Sequence, residues 1–348
     1  MKKTVLILFI LVPALIAASI FVFPDNALSE QENRTLMTRK DISLNIKEGD
    51  FQSDLESFLS DQFPLRESLV FVQSKARYLI GQRDIGGAYI CKSGRLIQKI
   101  TSADINTQSI VSYADKIDRI AQNNSVYVMY VPSAGTLIKD ELPYGAPMYD
   151  YDAVLSKLEK HCENAKLIDL KNELADAECY YKTDHHWTAK GAYNAYAAFC
   201  RAKGESAVPI DNYSLKSVSS DFQGTLFSKA PIVKTKDEIL LPDVSTLRVI
   251  ADGKEIPFYD MSAIETKDKY NVFQCGNHGI VEITNKNAKS DKTLLILKDS
   301  FANSFVPYIT GGYSRIVMLD ERYTFISLAD YVQSVKPDEI LVLREIIN

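Results

Sequence analysis

The spacing of apolar positions changes along the chain, and each change predicts a different element. Thr4 to Phe23 carries no charge and follows Met1-Lys2-Lys3. That length matches a membrane span of ~20 apolar residues. Lys2 and Lys3 predict a cytoplasmic start, with the remainder outside the membrane. Residues 1–24 therefore read as a signal anchor that stays, or as a signal peptide cut near Ala27-Leu28-Ser29. No second span is evident, which argues against a channel or transporter core. Polar residues 25–48 read as a juxtamembrane arm. Phe51, Leu55, Phe58 and Leu59 then fall at i, i+4, i+7 and i+8, one face of a helix. Pro64 should end that helix and begin the next, which continues through Val70, Val72, Ala76, Leu79 and Ile80. Residues 86–100 read as a hairpin around Lys92-Ser93-Gly94. Residues 25–104 thus form an N-terminal region of arm and helices.

From about residue 105 the pattern alternates. Ile110, Tyr113, Ala114, Ile117 and Ile120 predict a helix. Val126 to Val131 is a short apolar run suited to a buried parallel strand. A helix at 151–163, a strand from Lys166 to Leu170 and a helix from Thr188 to Cys200 follow, with Thr188 as its N-cap. Residues 205–290 change character. Short β-like pieces dominate: Ser214 to Val218, Ile239 to Leu241, Leu247 to Ile250, Tyr270 to Gln274 and Ile280 to Ile283. Alternation then returns, with strands at Leu294 to Leu297, Ile316 to Leu319 and Ile340 to Leu343. Helices are expected at Phe301 to Ile309 and 325–335. The pattern predicts an α/β fold over 105–348, with a three-layer parallel sheet and a β-rich insertion at about 205–290.

Composition narrows this only a little. The 348 residues are 46% hydrophobic and 24% charged, those of an ordinary globular chain. The net charge of −5 and the lack of a basic stripe argue against nucleic acid as a partner. Cys91, Cys162, Cys179, Cys200 and Cys275 are odd in number and widely spaced, without a Cys-x-x-Cys pair. Neither a disulfide scaffold nor a zinc ribbon is expected.

Two stretches carry candidate chemistry. Thr183-Asp184-His185-His186-Trp187-Thr188 holds two of the four histidines and the sole tryptophan. Lys298-Asp299-Ser300-Phe301 follows an apolar strand and opens a helix. A serine hydroxyl needs a base to take its proton, and the base needs an orienter. Asp184 and His186 have the spacing for base and orienter on a loop. Ser300 would stand where a parallel sheet gathers reactive groups, with helix-start N–H groups near for an oxyanion. Plainer readings exist for each residue. Ser300 could cap its helix, Asp184 could pair with Lys182, and Trp187 could plug the core. Asp184, His185 and His186, with distant His278 or Asp299, could also ligate zinc, although adjacent histidines on an extended loop seldom serve one ion. His278 reads as a turn residue, and His161 as a helix-end histidine. The aromatic loop from Tyr144 to Tyr151 is an ordinary loop or the lining of a glycan groove.

Asp184-His185-His186-Trp187 resembles the signature of the DHHW family. That family is an extracytoplasmic branch of the SGNH/GDSL hydrolases related to the alginate acetylation proteins. Asp184 and His186 match its Asp-x-His-Trp pattern, and His185 takes the variable place. Asp299-Ser300 matches the end of Gly-Asp-Ser, with Lys298 where glycine stands. Glu32-Asn33-Arg34 and Asp61-Gln62-Phe63-Pro64-Leu65-Arg66 also resemble this branch. The resemblance implies an SGNH-hydrolase-like, flavodoxin-like sheet with circularly permuted motif order, since the Asp–His pair precedes the serine. It implies Ser300 as nucleophile, His186 as base and Asp184 as orienter. The Ser300 amide would serve an oxyanion, and Arg322, Asn348 and His185 are further oxyanion or substrate-binding candidates. No metal or cofactor is implied. The expected function is extracytoplasmic acyl transfer, as an O-acetyltransferase or O-acetylesterase on a polysaccharide or wall glycan. A multi-pass acyltransferase is a candidate partner. The expected location is the cell membrane through a single N-terminal span, or secretion if that span is cut. The alternative is a non-catalytic, membrane-tethered glycan-binding or assembly protein on the same fold.

Overall fold

A computed structural model describes residues 11, 18–29, 34–43, 50–244 and 247–347. Most of the uncharged N-terminal stretch lies outside them, as do Glu32, Asn33 and Asn348. Among the described residues no helix is long and apolar enough to cross a membrane.

Strands β1 (Leu28–Ser29) and β2 (Arg34–Thr35) pair ahead of helices α1 (Asp50–Asp61) and α2 (Arg66–Leu79). The break between the helices contains Pro64. Strands β3 (Asp84–Ile85), β4 (Ala88–Ile90) and β5 (Leu96–Gln98) then make three strands where a simple hairpin is expected. Gly86 and Gly87 supply the extra turn. Both have positive φ, 60° and 77°, as a two-residue hairpin turn requires. Ile85, Ala88, Ile90 and Leu96 pack on Leu226 and Ala230, so this small sheet sits on the α/β body.

The body contains helices α3 (Thr107–Ala121), α4 (Ala134–Leu137), α5 (Tyr151–Glu159), α6 (Ala189–Lys203), α7 (Thr225–Lys229), α8 (Phe301–Ile309) and α9 (Leu328–Val335). Its strands are β6 (Ser125–Val131), β7 (Lys166–Leu167), β8 (Leu215–Phe222), β9 (Asp237–Pro242), β10 (Arg248–Ala251), β11 (Lys254–Ile256), β12 (Ile280–Thr284), β13 (Thr293–Lys298), β14 (Arg315–Leu319) and β15 (Glu339–Glu345). Eight strands form one sheet in the order β11-β10-β12-β14-β13-β15-β6-β7. From β14 to β7 all neighbours are parallel.

The central strands read as unbroken apolar runs because both faces are covered. Leu294 and Ile296 face a core with Phe301 and Phe305 of α8 and Ala192, Ala195 and Phe199 of α6. Leu295 and Leu297 face the opposite core, with Ile110, Ala114 and Ile117 of α3 and Leu328 and Val332 of α9. The expected three layers follow. The helix after β13 covers one face and the helix after β14 the other. That divergence opens a crevice at the carboxyl ends of these strands.

The β-rich segment is less separate than its sequence suggests. Strands β10 to β12 continue the main sheet antiparallel to β14. They cover an edge whose backbone groups would otherwise be unpaired. Only β8 and β9 pair apart from it. The expected strand from Tyr270 to Gln274 is corrected: Lys269–Val272 is a 3-10 helix, and Gln274 and Cys275 have positive φ. That backbone cannot continue a ladder, and the Tyr270 ring lies buried.

Candidate active site

The motif loop is a tight reversal ahead of α6. Tyr180 bridges Trp187, and the Tyr181 N–H donates to the His186 carbonyl at 3.1 Å. Thr188 caps α6, its hydroxyl accepting from the Gly191 N–H. Three distant segments clamp the loop. The buried Arg95 guanidinium donates to the carbonyls of Ala177, Tyr180 and Tyr181. Asp237 of β9 accepts from the Lys182 and Thr183 N–H groups, each at 2.8 Å, and from the Thr183 hydroxyl at 2.6 Å. Burial lifts the Asp237 carboxyl above its usual range, and those donors oppose the lift. The third segment, Gly224-Thr225, reaches Asp184 itself.

Asp184 is almost fully buried and both its oxygens are spoken for. Oδ1 accepts from the His186 backbone N–H at 2.9 Å and faces His186 Nδ1 at 2.6 Å. Oδ2 accepts from the Thr225 N–H at 2.7 Å and its hydroxyl at 2.9 Å. Burial alone would raise this carboxyl. The nearby His185 and His186 rings and the His186 hydrogen bonds outweigh burial and hold it far below the usual range. An ionised carboxylate only accepts, so Nδ1 of His186 carries the proton. In the neutral imidazole Nε2 then keeps its lone pair. The Ser300 hydroxyl lies 2.7 Å from that nitrogen.

Ser300 sits at the carboxyl end of β13 and opens α8. It does not cap the helix with its side chain. Asp299 does the anchoring instead, accepting from the Phe301 N–H at 2.9 Å and the Glu345 N–H at 2.6 Å. No acceptor among the described residues takes the Ser300 N–H. That donor is available at the place where an oxyanion would form.

Aromatic rings fix the imidazole. Tyr270 stacks on His186 with centroids 3.9 Å apart and planes 9° apart. Its hydroxyl donates to the Ser300 carbonyl at 3.3 Å and meets the Ser304 hydroxyl at 3.1 Å. Trp187 is a core plug, fully buried, its Nε1–H donating to the Ser304 hydroxyl at 2.8 Å.

The other sequence candidates separate here. His185 lies beside His186, and its Nδ1 meets the Thr225 hydroxyl at 2.8 Å. Loss of solvent around it, with repulsion from His186, draws its pKa down to about 3, against the pull of Asp184. Arg322 pairs with Asp320 through Nε and Nη2, at 2.9 and 2.7 Å, and stays partly exposed. Asn348 lies outside the described residues. Asp184 makes no pair with Lys182; its oxygens serve His186 and Thr225. His278 meets Asp252 at 3.0 Å and His161 meets Asp115 at 2.7 Å, both at a distance in sequence from the motif. The aromatic loop does not line a groove through Tyr149 or Tyr151, which are buried; Tyr144 points to solvent.

Lys298, in the glycine position, is buried. Its Nζ donates to Asn303 Oδ1 at 2.8 Å and stands 3.8 Å from Asp320. Burial lowers its pKa to about 8, opposed by Asp320 and Asp299. The lysine thus fastens the first turn of α8 from beneath.

Asp184, His185 and His186 are also the one group of side chains among the described residues placed closely enough to ligate a metal. Their donor set does not suit an ion. Asp184 would surrender four hydrogen bonds, and His186 Nε2 is committed to Ser300. All five cysteines are unpaired.

The α/β body, with helices on both faces of a central mixed sheet, has an SGNH-like fold. The DHHW protein family model matches residues 123–319, more than half of the chain. The chain belongs to that family. It is similar to a DHHW family protein from Eubacterium siraeum at TM-score 0.64 and 21% identity, covering 75% of this chain and 91% of that one. It is also similar to Bacillus cereus PatB1, solved with a sulfonyl adduct, at TM-score 0.62 and 18% identity, covering 74% and 93%. No curated protein matches the sequence.

Proposed function

We propose that the protein is an extracytoplasmic serine acyl-transfer enzyme, an O-acetyltransferase or O-acetylesterase acting on a polysaccharide or wall glycan. The observation that carries the chemistry is the continuous relay Asp184–His186–Ser300, with links of 2.6 and 2.7 Å. Both lie within the reach proton transfer needs. The acetyl and glycan assignments rest on the family resemblance.

In this reading Ser300 Oγ attacks the acyl carbon while its proton passes to His186 Nε2. The carbonyl π bond opens, and the oxyanion takes the Ser300 N–H. His186 then returns the proton to the departing oxygen as the acyl–oxygen bond breaks, leaving an acyl-serine. A sugar hydroxyl or water reverses the sequence, with His186 again as base. Asp184 holds Nδ1–H in place and stabilises the imidazolium. The sulfonyl adduct of PatB1 accords with a reactive nucleophile on this fold. The test is release of p-nitrophenol from p-nitrophenyl acetate, with Ser300→Ala as control. Equal rates in the two proteins would sink the enzyme reading and favour a glycan-binding protein.

A further inference from the structure

Helix α2 is built inside out. Leu65, Leu69, Val72, Ala76 and Leu79 recur at i, i+4, i+7, i+11 and i+14, one stripe of a helix. In a soluble domain that stripe faces the core. Here Leu65, Leu69, Val72, Leu79 and the adjoining Ile80 are 50% to 82% exposed, while Ser74 is the buried residue of the helix. Leu65 also has a φ of 57°. A bulky side chain seldom adopts that backbone, and here it turns the leucine outward.

Two further observations say what covers the stripe. Cations flank it: Lys75 on one side, Arg66 and Arg77 on the other. The chain leaving the uncharged stretch Thr4 to Phe23 is also fastened to this pair of helices. Phe21 packs on Phe58, centroids 6.2 Å apart. Asn26 and Gln62 exchange two hydrogen bonds, and the Ser29 hydroxyl donates to Glu67 of α2 at 3.0 Å. Phe21, Val22 and Phe23 are themselves exposed. Apolar stripe, basic flanks and the end of a span-length segment stand together.

We propose that α2 lies in the headgroup layer of an anionic membrane, its Leu65–Leu69–Val72–Leu79 face inserted and Lys75 and Arg77 on the phosphates. An apolar face with basic margins is the pattern of an interfacial helix, whose burial reaches about 5–10 Å into the boundary. The helix would fix how the α/β body stands over the bilayer. This rests on the membrane location expected from the uncharged N-terminal stretch and not on the role of Ser300.

The test uses the full chain reconstituted into vesicles of mixed zwitterionic and anionic phospholipid with brominated acyl chains. Trp187 is fully buried, so its emission provides a steady background. The expected result is loss of the added emission in Val72→Trp, none in Ser156→Trp on the exposed face of α5, and a smaller loss when Lys75→Glu and Arg77→Glu are added. Quenching of Val22→Trp with none of Val72→Trp would overturn the proposal and leave the stripe to a second copy or another protein. Quenching of neither would overturn it together with the membrane location, whatever the esterase assay shows.

Discussion

Replacing Asp184 by asparagine tests the relay with the least change of shape. The carboxylate stands 2.6 Å from His186 Nδ1 in a site almost closed to solvent. At an effective dielectric of ~20, a charge at that distance stabilises an imidazolium by about 6 kcal/mol. The neutral imidazole of the ground state gains little of this, so the loss falls on the transition state. A relay of this type loses ~10⁴ in turnover on the same change, about 5.5 kcal/mol. The two figures agree in scale. A second consequence is specific to this site. Each oxygen of Asp184 accepts from a backbone N–H, one from His186 and one from Thr225. Whichever way the amide turns, its NH₂ meets a fixed donor. Stability should drop by about 1–3 kcal/mol, the cost of a buried unpaired group. The assay is p-nitrophenyl acetate turnover beside chemical denaturation, with Ser300→Ala as the blank. Turnover of Asp184→Asn within about tenfold of the parent, a difference of about 1.4 kcal/mol, would refute the relay.

Further expectations follow from neighbouring contacts. A Cβ at Gly224 would lie 2.2 Å from Asp184 Oδ2, so Gly224→Ala should displace the carboxylate and cost about 10²-fold in turnover; an unaffected rate would mean the carboxylate position is unimportant. Tyr270→Phe keeps the ring stacked on His186 and loses only the hydroxyl contacts, so denaturation should show a loss of about 0.5–1.5 kcal/mol, whereas Tyr270→Ala should lower turnover as well. Burial, with repulsion from Asp299, raises the Glu345 pKa from its ordinary 4.5 to about 8. The folded state therefore holds the proton that the unfolded chain loses, and stability should fall as pH rises from 4.5 to 8. Glu345→Gln should flatten that slope in pH-dependent denaturation. Lys298 acts in the opposite sense, its pKa lowered from 10.5 to about 8. Its contribution should strengthen from pH 8 to 10.5, and Lys298→Met should abolish that rise.

Much of the fold is legible from local pattern. Leu294 to Leu297 reads as a doubly covered strand because every residue in it is apolar, and Phe301 to Ile309 as the helix after it. Both stand where expected. The residues at Tyr270 carry β-like composition, yet the left-handed backbone at Gln274 and Cys275 bends them into a turn. Nothing in the spacing of an apolar run reports such a reversal.

The candidate site divides along the same line. Sequence alone determined which groups have the right chemistry: a carboxylate two residues before an imidazole on a loop, and a serine between strand and helix. Those are short-range properties. Only the tertiary structure decided that His186 meets Ser300, which lies 114 residues away. It also brought in Arg95, Thr225, Asp237 and Tyr270, none of which stands in a motif. Their parts depend on contacts closed by the packing of the β segment and the small N-terminal sheet against the body. A hydrogen bond between distant residues has no periodicity, so the chain shows it only when folded.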